Sequence, residues 1–172
     1  MPKIIPELRE KILSCARKHI VEDENHDFST RLLASECGVA AGTIFNYFST
    51  KEELLASVIL EDWTACLKEM TEEAERAKST EEGLLMIEGK LRAFSRPFLA
   101  VWQGYSRPVP IRKYHARLVK QLSEPIEIVL QKTQKSCSET ELQVISEMLL
   151  SCSQREEGLI ARLIPVMEKI LQ

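Results

Sequence analysis

Between Phe28 and Leu55 the chain reads FSTRLLASECGVAAGTIFNYFSTKEELL, and this stretch constrains the fold more than any other. Ser29 is a good N-cap, a residue whose side-chain oxygen satisfies an orphan amide of the first helical turn. Leu32, Leu33 and Cys37 follow at the spacing of a buried stripe. Gly38 stands where a helix must stop in the left-handed conformation that glycine adopts without strain. A second short helix fits Ala41 to Phe48. Ser49-Thr-Lys-Glu52 is a capping-box pattern that restarts the chain as a further helix, since hydroxyl and carboxylate each satisfy a backbone donor. Two short helices about a glycine turn make a helix-turn-helix.

The flanking sequence is helical throughout. Leu8, Ile12, Ala16 and Ile20 give residues 7 to 21 one apolar face, and this face would cover the helix-turn-helix. From Lys51 to about Lys78 a long fourth helix carries Leu55, Ile59, Trp63, Cys66 and Met70 at helical spacing. A second capping box, Ser79-Thr-Glu-Glu82, opens a stripe of Leu84, Ile87, Leu91, Phe94, Phe98, Val101 and Tyr105. Pro97 interrupts it, and an interior proline removes a hydrogen bond, so a kink or break is expected near Ser95 to Pro97. The clearest loop is Gly104 to Pro110. The stripe resumes through Tyr114, Leu118, Leu122, Ile126 and Val129, where Pro125 is a second point of division. A third box, Ser138-Glu-Thr-Glu141, starts a helix with Leu142, Ile145, Leu149 and Cys152 on one face, and a last helix carries Ile160, Leu163, Met167 and Ile170. No stretch alternates as a strand does, so the chain reads as all-α.

Composition closes off other classes. The formal net charge is −3, and residues 1 to 51 carry as many acidic as basic side chains, so DNA contact would rest on placed groups rather than bulk charge. The five cysteines are scattered without a C-x-x-C pair, as in a reduced cytosolic protein. Residues 1 to 20 lack the apolar core of a secretory signal, and no run of 18 apolar residues marks a membrane span. The histidines, His19, His26 and His115, are isolated from one another and offer no metal-ligand spacing. Gly83 to Lys90 imitates a phosphate loop, but it has one intervening residue too many, ends in Leu91 and lies in a helical pattern. No catalytic residue, cofactor or metal site emerges, and the chain reads as a non-enzyme.

Gly38-Val39, Gly42-Thr43-Ile44-Phe45-Asn46-Tyr47-Phe48 and Lys51-Glu52-Glu53-Leu54 stand in the register of a known family. Residues 7 to 60 closely resemble the DNA-binding domain of the TetR family of bacterial transcriptional regulators; beyond them the resemblance is architectural. It implies an N-terminal three-helix helix-turn-helix DNA-binding domain, residues 1–50, linked by a long helix to a helical ligand-binding and dimerisation domain, residues 51–172. It also implies a cytoplasmic repressor that binds an inverted-repeat operator in double-stranded DNA as a homodimer, with a small-molecule effector and no membrane association. An adaptor on the same fold, binding DNA or protein without an effector, is the alternative.

The second helix of such a motif enters the major groove while neighbouring groups fix the register on phosphates. Thr43 and Asn46 are the side chains there able to reach base edges, with Asn to adenine the sharpest pairing. Ala41 offers a methyl contact and Gly42 a close backbone approach. Arg31 is a candidate for guanine. By the resemblance, Thr43, Tyr47 and Lys51 face phosphates and Ser29 or Thr30 adds a hydroxyl. Phe45 replaces the usual Tyr of the family and so lacks its donor. Ala40 replaces the more common Ser, leaving the helix without a side-chain cap worth about 1 kcal/mol. Trp63, Phe94, Phe98, Trp102, Tyr105 and Tyr114 are candidates to line an effector pocket. Leu142, Ile145, Leu149, Ile160, Leu163 and Met167 are candidates for the dimer interface. Cys15, Cys37, Cys66 and Cys152 fall on apolar faces and read as inert, whereas Cys137 lies in a polar loop and is the exception open to oxidants.

Overall fold

The computed structural model describes residues 7–22, 28–104, 114–155, 158–169 and 171. Among these residues the chain forms eight helices and no strand, in agreement with the all-α expectation. They are α1 (Leu8–Glu22), α2 (Thr30–Cys37), α3 (Ala41–Ile44), α4 (Lys51–Ala74), α5 (Thr80–Gly104), α6 (His115–Lys132), α7 (Glu139–Ser153) and α8 (Leu159–Met167). Packing divides the chain into two compact units, Met1–Asp62 with Pro97–Arg112, and Trp63–Arg96 with Lys113–Gln172. Both α4 and α5 contribute to each unit.

Burial follows the apolar stripes. Leu8, Ile12, Ala16 and Ile20 of α1 are buried, as are Leu55, Ile59, Trp63, Cys66 and Met70 of α4 and Leu118, Leu122, Ile126 and Val129 of α6. The prolines behave otherwise than expected. Helix α5 continues through Pro97 and α6 through Pro125 without interruption. An interior proline forfeits one backbone bond and crowds the preceding turn. In α6 the ring is itself buried among Leu122, Ile126 and Val129. Burying such side chains stabilises by about 1.5–3 kcal/mol each, which outweighs one lost bond.

The caps are only partly as read. Ser138 and Glu141 form the full reciprocal box, and the hydrogen bonds from Ser138 hold the Glu141 carboxyl below its ordinary value. Ser79 accepts from the Glu82 amide, but the Glu82 carboxylate reaches the amide of Lys78. At α4 the cap lies one residue further on than Ser49 and Glu52. Thr50 Oγ1 accepts from the Glu53 amide at 3.0 Å, and the Glu53 carboxylate takes the Ser49 amide at 2.7 Å. Thr50 and Glu53 repeat the same spacing, so sequence alone does not choose between the two registers. Helix α4 ends at Ala74, short of Lys78, with the Arg76 and Ala77 amides turning back to Glu73 and Ala74.

In the second unit α5 meets α6 at close range. A β-carbon on Gly83 would lie 2.5 Å from both methyls of Val129. One turn earlier the Thr80 and Thr133 hydroxyls share a hydrogen bond at 2.9 Å. Lys90 of α5 pairs with Glu69 and Glu73 of α4. Arg92 pairs with the buried Glu88 and donates to the carbonyls of Cys152, in the last turn of α7, and of Arg155, just beyond it. The Trp63 indole donates to Gln121 at 3.1 Å and its ring meets Phe94 edge-on. Of the residues singled out for association, Leu142, Ile145, Leu149, Ile160 and Met167 are buried within the chain and Leu163 is half-buried. Val144 and Val166 are the large apolar side chains that α7 and α8 leave exposed.

Gly83→Ala tests the α5–α6 contact. Alanine is the better helix former by about 1 kcal/mol, but overpacking against a stiff β-branched partner costs about 1–3 kcal/mol. We expect a lower unfolding midpoint in urea, and partial recovery in Gly83→Ala combined with Val129→Ala.

Candidate nucleic-acid interface

The helix-turn-helix is built as its residues dictate. The Ser29 hydroxyl accepts from the Leu32 amide at 3.0 Å and caps α2. At the other end Gly38 takes φ 72°, ψ 31°, and the Gly38 and Val39 amides close onto the Ser35 and Ala34 carbonyls. Leu33, Ala34 and Cys37 are buried, but Leu32, expected in the same stripe, is 42% exposed. With Leu33 and Cys37 one turn apart facing the core, Leu32 is rotated about 100° away from them.

Helix α3 is shorter than the Ala41–Phe48 span expected. Ala40 provides no side-chain cap, and only Ala41–Ile44 is α-helical. The amides of Asn46 and Tyr47 then bond to Thr43 and Ile44, three residues back, so the chain tightens into a turn. Ile44 and Phe48 are buried and anchor this turn from beneath. Asn46 and Phe45 are exposed, Phe45 at 48%.

Ser29, Arg31, Gly42, Phe45 and Asn46 are exposed, and Thr30, Ala41, Thr43, Tyr47 and Lys51 are partly so. They come from the start of α2, α3 with its following turn, and the first turn of α4. Lys51 lies with its ammonium 4.8 Å from the centre of the Phe28 ring, a cation–π contact that fixes the charge at the helix N-terminus. Phe28 had no part in the sequence reading; an aromatic just before an N-cap was its one signal.

Helix α1 braces this surface. Arg17 pairs with Asp62 at 2.6 Å and with Glu61 at 3.0 Å, and Arg9 pairs with Glu61 while its guanidinium lies over the Phe48 ring. Burial pushes the Asp62 carboxyl above its ordinary value even with Arg17 beside it. The pair therefore orients α1 on α4 more than it stabilises the fold. Lys11 donates to the Cys37 carbonyl at 3.1 Å, and His19 contacts Glu36 at 3.0 Å, tying α1 to α2.

Among the effector-pocket candidates, Trp63 and Phe98 are buried and Phe94 and Tyr114 are half-buried. The Trp102 side chain and Tyr105 lie outside the described residues.

Two short helices about a glycine turn, with an exposed polar surface held by buried anchors, make a helix-turn-helix motif. Residues 12–58 match the family described as bacterial regulatory proteins, tetR family. The HTH-type transcriptional regulator UidR of Escherichia coli (strain K12) is 31% identical over 67 residues, covering 39% of this chain and 34% of the relative. The fatty acid metabolism regulator protein of Bacillus subtilis (strain 168) is 30% identical over 80 residues, 46% of this chain and 41% of that protein. The matched stretches thus span less than half the length of these curated relatives. Two solved structures share the fold over nearly the whole chain. The fatty acid degradation regulator FadR from Bacillus halodurans has a TM-score of 0.57 at 20% identity, over 98% of this chain and 96% of that one. A TetR-family protein from Vibrio parahaemolyticus, described as a putative transcriptional regulator, has a TM-score of 0.50 at 21% identity, over 96% and 99%. Residues 12–58 are thus similar to the DNA-binding segment of tetR-family regulators, and the all-helical fold of the chain is shared with those structures.

Two glycines separate backbone strain from surface chemistry. Gly38→Ala forces a side chain into the left-handed region and should lower stability by about 1–2 kcal/mol. Gly42, whose added β-carbon would meet nothing within 4 Å, should accept alanine without loss of stability. Urea unfolding of the two variants checks both.

Proposed function

We propose that this chain is a cytoplasmic TetR-type transcriptional regulator, a repressor that binds an inverted-repeat operator as a homodimer and is released by a small, largely apolar effector. The observation that carries the reading is the surface of α3 and its turn, where Thr43, Asn46 and Tyr47 stand out over buried Ile44 and Phe48 in the family's register. Asn46 reads a base edge, Thr43 and Tyr47 hold phosphates, and Lys51 at the α4 N-terminus adds a further phosphate contact, with Ser29, Thr30 and Arg31 contributing from α2. Ala41, Gly42 and Phe45 allow close approach and apolar contact.

Two identical heads require an inverted repeat, because operator symmetry mirrors protein symmetry. The homodimer would be made through α7 and α8. Leu142, Ile145, Leu149, Ile160 and Met167 then support the interface from within, while Val144, Val166 and half-buried Leu163 supply outward apolar surface. Phe94 and Tyr114, half-buried, are the candidates best placed to meet an effector, with Trp63 behind Phe94. Because two similar proteins are named as fatty acid regulators, acyl compounds are the first to try. The effector-free adaptor is favoured by one observation: Trp63 and Phe98 are packed to 2% and 1% exposure.

Selection of duplexes from a random pool should enrich an inverted repeat. Lys51→Ala and Tyr47→Ala should weaken binding to every duplex, Lys51→Ala also reducing the salt dependence by about one ion. Asn46→Ala should lose about 1–3 kcal/mol of discrimination at one base pair. Equal losses for Asn46→Ala on all sequences would remove its base-reading role, and no enrichment by the wild type would remove the operator.

An effector should release the duplex and change Trp63 fluorescence together. If no acyl or other apolar compound alters DNA binding, the adaptor reading replaces the effector-regulated one.

A further inference from the structure

Cys15 of α1 and Cys37, the last residue of α2, are 22 positions apart in sequence, yet their sulfurs lie 3.9 Å apart. They differ in setting. Cys37 is 6% exposed, whereas Cys15 is half-buried and opens onto a shallow surface depression of about 380 Å³ lined also by Ser14, Arg17, Lys18 and Val21. We propose that Cys15 and Cys37 form a thiol-modification site that reacts with small hydroperoxides and closes to an intramolecular disulfide.

The roles follow from placement. Cys15 is the attacking sulfur because a solute in the depression reaches it, whereas Cys37 lies buried behind it. Cys37 is the resolving sulfur, since its S–H points at Cys15. Burial, with the neighbouring Cys15 adding to it, pushes the Cys37 thiol up to about 11, so it keeps its proton until it reacts. In the first step the Cys15 thiolate attacks one oxygen of the hydroperoxide. An S–O bond forms, the O–O bond breaks, and the alkoxide leaves as an alcohol after taking a proton. In the second, Cys37 attacks the Cys15 sulfenic acid; the S–S bond forms, the S–O bond breaks, and water leaves with the Cys37 proton. Two thiols are oxidised by two electrons and one hydroperoxide is reduced to alcohol and water.

The other thiols are placed differently. Cys66 is buried, its thiol pushed up to about 12 by burial, and its S–H points at the Lys90 carbonyl. Cys152 is buried as well. Cys137 is half-buried, and its thiol is raised by burial and by the charges of Glu141 and Glu127.

Closure has a structural consequence. A disulfide holds its sulfurs about 2.0 Å apart, so the two must approach by about 1.9 Å. That movement draws on the last turn of α2, whose Cys37 carbonyl is held by Lys11 and whose next residue is the left-handed Gly38 that leads into α3. Loss of duplex binding on oxidation therefore rests on the reading of α3 as the DNA-contacting helix, whereas formation of the disulfide does not.

The test uses the full chain, reduced and then treated without air with a few equivalents of tert-butyl hydroperoxide or hydrogen peroxide. Intact mass and non-reduced peptide mapping follow. The expected result is a wild-type product lighter by two hydrogens with Cys15 and Cys37 joined. Cys37→Ala should stop at a Cys15 sulfenic acid that dimedone traps, and Cys15→Ser should leave Cys37 reduced. Duplex binding should fall at least tenfold in the oxidised wild type and return with a dithiol reductant. Both thiols intact in the treated wild type, or Cys137 oxidised in their place, would overturn the site. A disulfide formed in a chain that binds no duplex even when reduced would support the site and remove the DNA reading instead.

Discussion

A four-residue helix has no stability of its own, because the first hydrogen-bonded turn fixes several dihedral angles for a single bond. Helix α3 therefore exists because Ile44 and Phe48 are buried below it, and everything the first unit offers to a partner depends on those two side chains. Their spacing of four residues places both on one side of the Thr43–Phe48 turn. The intervening Phe45, Asn46 and Tyr47 are thereby turned outward, whatever their own preferences. The apolar anchor and the polar surface are two consequences of one packing arrangement. Small changes beneath the turn should alter what stands above it without any change of exposed chemistry.

The charges of α1 are arranged to the same end. Arg9, Lys11 and Arg17 all have partners on α2 or α4. They hold the brace in register instead of adding to a basic field, which fits a segment with balanced charge. Binding to a polyanion must then come from few, fixed contacts, and such contacts gain from being pre-ordered. The Lys51 ammonium is an instance, since its contact with Phe28 restrains a side chain that otherwise carries about 2 kcal/mol of rotamer entropy.

The second unit is held by contacts too close to be exchanged. Gly83 against Val129 leaves no room for a methyl group, and the Thr80–Thr133 bond fixes the ends of the same two helices. With the predicted stripes of α7 and α8 buried inside the chain, a second subunit would find the opposite faces of those helices. Val144 and Val166 alone are a small apolar area, and a stable dimer requires about 800 Å² per partner. Association through this surface would thus draw on polar residues as well.

Most of the helices were legible because periodicity and caps are local. Gly38, the Ser138 box and the stripes of α1, α4 and α6 needed only neighbours within a turn or two. The misreadings share a different cause. The continuity of α5 and α6 through proline depends on burial that the local pattern does not weigh. The cap of α4 depended on choosing between two adjacent registers of the same motif. The length of α3 depends on the burial of Ile44 and Phe48, which the local pattern does not weigh. The cysteines mark the limit most sharply. Periodicity assigned Cys15 and Cys37 each to an apolar face, and two such faces from adjacent helices are the ones that meet in a core. Sequence thus contained the condition for their encounter but not the encounter itself. Reactivity depends on what lies across the interface, and that becomes readable when α1 has been placed on α2.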